Sequence, residues 1–155
     1  MQPILTIVCG LPGSGKSEWI TEHKSQFTFI SDDFFKGAIR DENPGGTSFW
    51  YGRDYAELIV HLKKGESCCI SDIIFCKSES RTGSETWFPD VVKGLTLDWL
   101  FFENDPDACA CNIQRAYETE GRDPKERLKS LCRLKADYII PDGARRLPVF
   151  RLTGT

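Results

Sequence analysis

The chain has 155 residues, 40% hydrophobic and 28% charged. That is the length of one domain, with enough apolar content to bury a core, so a disordered, collagen-like or fibrous chain is excluded. The net charge of −3 is wrong for a protein that coats nucleic acid by neutralising many phosphates.

In chain order, apolar runs predict strands at Ile4–Cys9, Thr28–Ser31, Ser67–Ile73, Thr96–Phe102 and Pro148–Leu152. The first and third are near-continuous apolar runs, as expected of strands buried on both faces of a mostly parallel sheet. Between them lie predicted helices at Lys16–His23, Arg53–Lys64 (stopped by Gly65), Ser84–Lys93 (weakened by Pro89), Pro106–Tyr117 and Pro124–Tyr138. Asp105-Pro106 and Asp123-Pro124 each offer a capping acceptor followed by proline at the first helical position. Asn43–Thr47 reads as a loop and Ala116–Gly121 as a polar loop. The alternation of strand and helix predicts a single α/β domain over residues 1–155, a five-stranded sheet with helices on both faces.

Ile4–Cys9 is too short to span a bilayer and lacks the flanks of a secretory signal, so a cytoplasmic protein with no membrane partner is expected. The seven cysteines, Cys9, Cys68, Cys69, Cys76, Cys109, Cys111 and Cys132, are odd in number and scattered, and they read as buried reduced thiols rather than disulfides or a zinc site. Residues 1–113 hold 10 Lys and Arg against 17 Asp and Glu, whereas residues 114–155 hold 10 against 6. The last third is therefore locally basic, which bears on phosphate handling only if a motif demands phosphates.

Gly10-Leu11-Pro12-Gly13-Ser14-Gly15-Lys16-Ser17 makes that demand. It is a full GxxxxGK[ST] set between a predicted strand and a predicted helix, a pattern that random placement of this composition yields about 0.01 times per chain. Its glycines let consecutive N–H groups wrap a phosphate at a helix N-terminus. Lys16 is expected to neutralise β/γ oxygens and Ser17 to ligate Mg²⁺, with ATP or another nucleoside triphosphate as donor.

The acceptor side is expected at the carboxyl ends of the next strands. Asp32 follows the second strand and reads as the carboxylate that orients an acceptor hydroxyl and takes its proton; Asp33 is balanced between a substrate ligand and a helix cap. Asp72 ends the third strand, where a carboxylate holds Mg²⁺ or positions substrate, against the alternative of a strand-end cap. Arg115, and more weakly Arg122, flank the polar loop as candidate lid residues for transition-state charge, while Arg127, Arg133, Arg145 and Arg146 read singly as surface residues. Phe34, Phe35, Phe49, Trp50 and Tyr51 are candidates to stack on an acceptor or to fill the core, and Asn43–Gly52 is a candidate flap.

Together ILTIVCGLPGSGKSEWI, SDDFF, CCISD, IQR and RLKSLCRLKADY resemble the small P-loop kinases that include polynucleotide 5′-hydroxyl kinase and the zeta-toxin-like kinases. The resemblance covers most of the chain. It implies a P-loop NTPase fold with a small lid at about 115–124, Lys16 and Ser17 on phosphates and Mg²⁺, Asp32 as general base, Asp72 as an acceptor- or metal-side carboxylate, and Arg115 as a lid arginine. The chain departs from that group at Phe35, where the family has an arginine and Lys36 stands beside it, at Ile73-Ile74, and at Thr119, whose lost arginine Arg122 is placed to replace. The resulting expectation is a kinase transferring the γ-phosphoryl of ATP to a hydroxyl, with a 5′-OH nucleic-acid or nucleotide end as favoured acceptor. The alternatives are a small molecule such as a sugar, nucleoside, antibiotic or nucleotide sugar, or a nucleotide-binding regulator without catalysis.

Overall fold

A computed structural model describes residues 2–35, 39–42, 48–51, 54–121 and 123–150; Lys36, Arg122 and the loop at 43–47 lie outside the described residues. The elements run β1 (Ile4–Cys9), α1 (Lys16–His23), β2 (Phe29–Ser31), β3 (Ile39–Glu42), β4 (Ser48–Tyr51), α2 (Tyr55–Lys63), β5 (Ser67–Ser71), α3 (Ser78–Val91), β6 (Thr96–Phe102), α4 (Pro106–Glu120), α5 (Lys125–Leu134) and β7 (Arg146–Leu147).

Five strands form one sheet in the order β2-β5-β1-β6-β7, every neighbouring pair parallel. The central β1 is buried from Leu5 to Cys9, which explains why its sequence is a continuous apolar run rather than an alternating one. The period of two sorts its side chains to opposite faces. Leu5, Ile7 and Cys9 join Cys68, Ile70 and Phe101 beneath residues of α2, α3, α4 and α5. Val8, Cys69, Leu100 and Phe102 pack instead against Ile20 of α1. Each such aliphatic side chain contributes about 1.5–3 kcal/mol by leaving water.

Where the structure departs from the sequence reading, local chemistry accounts for it. The strand expected to reach Ile73 stops at Ser71, because the Asp72 carboxylate accepts from Ile74 N at 2.9 Å and starts a 3₁₀ turn over Ile73–Cys76. Helix α3 begins at Ser78, six residues earlier than expected, and carries Pro89 in its last turn, two residues before the helix ends at Val91. The stretch read as polar loop is helical to Glu120: Glu118 and Glu120 are good helix formers, Thr119 Oγ1 donates to Arg115 O at 2.9 Å, and Gly121 at φ 70° ends the run. Strand β7 lies two residues before the predicted one and stops at Pro148, which has no N–H for the ladder. The antiparallel pair β3–β4 was not foreseen, since Ile39–Glu42 shows no apolar alternation. Five cysteines are buried as expected, but Cys111 and Cys132 are exposed; burial pushes the thiols of Cys68, Cys76 and Cys109 up to about 11 and that of Cys69 to about 12. No helix of the described residues is long and apolar enough to cross a membrane.

Candidate active site

The turn from β1 into α1 is built from the glycine motif. Ser14 N donates to Leu11 O at 3.0 Å and Trp19 N to Gly15 O at 3.0 Å, so the loop closes on itself and then opens directly into the helix. Gly13 and Gly15 sit at φ 83° and 108°, the left-handed region that side chains avoid. The N–H groups of Gly15, Lys16 and Ser17 make no hydrogen bond among the described residues, as the first turn of a helix leaves them. Beside them, the buried Ser14 Oγ also has no partner. Donors left over at a helix start, in a loop whose Gly13 and Gly15 carry no Cβ, fit a phosphate.

Lys16 Nζ folds back onto Gly10 O and Leu11 O at 2.8 and 3.0 Å. Burial lowers its pKa, an effect opposed by surrounding anionic groups that include the Asp32 carboxylate. Ser17 Oγ donates to Asp32 Oδ2 at 2.5 Å. A serine whose proton is directed to a carboxylate keeps both lone pairs for a cation, so this oxygen pair fits Mg²⁺, which usually takes one or two protein oxygens along with phosphate and water. Among the described residues, no group of three or more His, Cys, Asp or Glu forms a metal site of its own.

Asp32 and Asp33 lie in the turn that follows β2. That turn is docked on the end of β5 by Phe34 N donating to Ser71 O at 3.0 Å and Phe35 N to Asp72 Oδ2 at 2.9 Å. Ser31 Oγ, donating to Asp54 Oδ2 at 2.6 Å, ties the same strand end to the start of α2. Asp72 is buried and raised in pKa, first by burial; the N–H groups of Ile74 and Phe35 pull it down, and the neighbouring Asp33 carboxyl, hydrogen-bonded to it, pushes it up again. Asp72 therefore caps the 3₁₀ turn, the second of its sequence alternatives, and it also lines the site cleft.

A cleft of about 690 Å³ collects Pro12, Gly13, Gly15, Lys16, Ser17, Asp32, Asp33 and Asp72 of the predicted site residues. Gly10, Leu11 and Ser14 lie buried behind the loop. Phe35 is not on the cleft wall; its ring packs edge-on to Phe34 at 5.0 Å and against Phe75 at 5.5 Å, while its N–H serves Asp72. Arg115 is half-buried on α4 and also off the wall. Among the described residues, the arginine that reaches the cleft is Arg127 of α5, accompanied by Glu126 and Ser130. Asn112 and Phe150 were missed as well, and only the positions of Glu126, Arg127 and Ser130 on one helix face gave any sequence signal. Among the described residues, the carboxylates of Glu18, Asp32, Asp33, Asp72, Glu120 and Glu126 line the cleft together with two cations, Lys16 and Arg127.

A gluconokinase from Sinorhizobium meliloti 1021 has the same fold, with a TM-score of 0.54 and 19% identity over 98% of this chain and 86% of the other. No family model matches the chain, and no curated protein does. The sheet order, the loop and that likeness define an α/β protein of the P-loop kinase fold.

Proposed function

We propose that the protein is an ATP-dependent phosphotransferase that moves the γ-phosphoryl group to a hydroxyl of a small polyhydroxy molecule. The observation that carries this reading is the 2.5 Å bond from Ser17 Oγ to Asp32, which joins the last residue of the phosphate loop to the first acceptor-side carboxylate. The loop N–H groups and Lys16 hold the donor's phosphates, and Arg127 adds positive charge from α5. Ser17 holds Mg²⁺, which when bound neutralises phosphate oxygens. Asp32 orients the acceptor hydroxyl and takes its proton as the oxygen bonds to the γ-phosphorus and the bond from that phosphorus to the β-phosphate oxygen breaks, releasing ADP. Asp72, committed to Phe35 N and Ile74 N, holds the Asp32–Phe35 turn in place.

The likeness to a gluconokinase supports a small acceptor over a nucleic-acid end. Electrostatics point the same way. The described lining of the cleft carries six carboxylates against two cations, Lys16 and Arg127, a balance that disfavours a polyanionic acceptor and suits a neutral or cationic molecule. The exposed basic residues of the last third, including Lys125, Lys129 and Arg133, are the feature that would favour a 5′-OH end.

The test is transfer of label from γ-labelled ATP with Mg²⁺ to a panel of sugars, nucleosides and aminoglycosides, run beside a 5′-OH oligonucleotide. A small molecule is expected to take the label, and Asp32→Asn to retain nucleotide binding while losing at least about a hundredfold in kcat. Labelling of the oligonucleotide alone would reverse the acceptor assignment. Nucleotide binding without transfer to anything would leave a regulator.

A further inference from the structure

The outward side of the phosphate loop is held by two residues far away in the sequence. Asn112, buried on α4, donates through Nδ2 to Gly13 O at 2.9 Å and, through the same amide group, to Phe150 O. Phe150 N in turn donates to Ser14 O at 2.8 Å. The fit is close: a Cβ on Gly15 would come within 2.3 Å of Phe150 Cβ, and one on Gly13 within 2.5 Å of Cys109 O. The loop is thus gripped between α4 and the segment downstream of β7, and a single side-chain amide closes the ring of contacts.

Peptide geometry converts this grip into a consequence for the ligand. In a planar trans peptide the C=O and the following N–H point in opposite directions. Holding Ser14 O on Phe150 N therefore turns Gly15 N–H the other way, away from the 148–150 segment. We infer that Asn112 and the backbone of Phe150 form a clasp that orients Gly15 N–H toward the donor's β-phosphate, making Asn112 a positioning residue for donor binding. This rests on the proposed reading that the glycine loop holds the donor's phosphates. The amide suits the task because its two hydrogens satisfy two carbonyls at once. A carboxylate of the same shape would offer neither and would repel both.

The experiment is calorimetric titration of Mg²⁺–pyrophosphate, a probe with no base or sugar, into wild type, Phe150→Pro, Phe150→Ala and Asn112→Asp, with thermal melts of each. Proline deletes the N–H that Ser14 O accepts, and alanine keeps it. Saturable binding to wild type is expected, and Phe150→Pro is expected to bind about tenfold more weakly than Phe150→Ala, the loss of one hydrogen bond to a charged group. Asn112→Asp is expected to weaken pyrophosphate by at least about tenfold and to raise the KM for ATP while kcat at saturation holds, a split that simple loss of folded protein does not produce. Equal affinity in the proline and alanine variants, or an Asn112→Asp variant with unchanged KM and reduced kcat, overturns the clasp. Absence of pyrophosphate binding in wild type overturns the phosphate-loop reading, and the clasp with it.

Discussion

Gly15 carries two constraints at one position. Its φ of 108° lies where a Cβ is strained, and the space a Cβ would need is filled by Phe150. Gly15→Ala is therefore expected to cost about 1–3 kcal/mol of stability and to weaken nucleotide binding, because either the loop or the 148–150 segment must shift; denaturant melts and nucleotide titration check both. The placement of Lys16 and Ser17 on the cleft was legible because their signal is local, a fixed spacing that ends one strand and starts one helix; that of Asp32 came from its position at the end of the second strand. Arg127, Asn112 and Phe150 were not legible. Asn112 meets Gly13 across 99 residues and Phe150 across 38, and no local pattern encodes a contact made only when the sheet has brought α4 and the final segment to the same loop. Phe35 shows the reverse error: its position beside the acceptor aspartates is right, but its backbone and not its ring serves the site.

Among the elements, α2 and β5 are joined at one corner. His61 Nδ1 donates to Glu66 Oε2 at 2.7 Å, and the His61 ring stacks on Phe29 of β2 at 5.3 Å. The hydrogen bond to His61 holds the Glu66 carboxyl below its usual 4.5. A depressed carboxylate contributes stability that is present above its unfolded pKa and is lost as pH falls through the lower folded value. As pH falls below the ordinary carboxyl value of 4.5, the melting temperature of wild type is expected to fall more steeply than that of Glu66→Gln, with no such difference above it. Parallel acid limbs in the two proteins would remove this bond from the stability of the corner. Strands β1 and β6 matched their sequence runs to the residue; for β1, burial on both faces leaves an unambiguous apolar signature. The ends of β5 and β7 were set by a capping carboxylate at Asp72 and a proline at 148, features whose effect depends on the conformation of the neighbouring residues. Helix α4 outran its expected end because a polar sequence is as consistent with an exposed helix as with a loop.

At the scale of the whole molecule, β1 lies between β5 and β6, so the chain leaves the central strand toward one edge and later returns to fill the other. Crevices at such a reversal receive the ligands of open α/β sheets. Here the reversal places the glycine loop at the end of β1, with Asp32, Asp33 and Asp72 from the ends of β2 and β5 on one side and α4, α5 and Phe150 on the other. The modest net charge of the chain hides a cleft whose described lining is mostly acidic and whose loop is rich in donors, a division that on the proposed function would separate the triphosphate from its acceptor. The most direct test of a triphosphate-binding loop is titration of a non-hydrolysable ATP analogue into wild type and Lys16→Ala, with and without Mg²⁺. Saturable, Mg²⁺-dependent binding is expected, weakened by at least about tenfold when the lysine charge is removed. An analogue that does not bind, or that binds both proteins equally, would contradict the assignment of the loop to the donor.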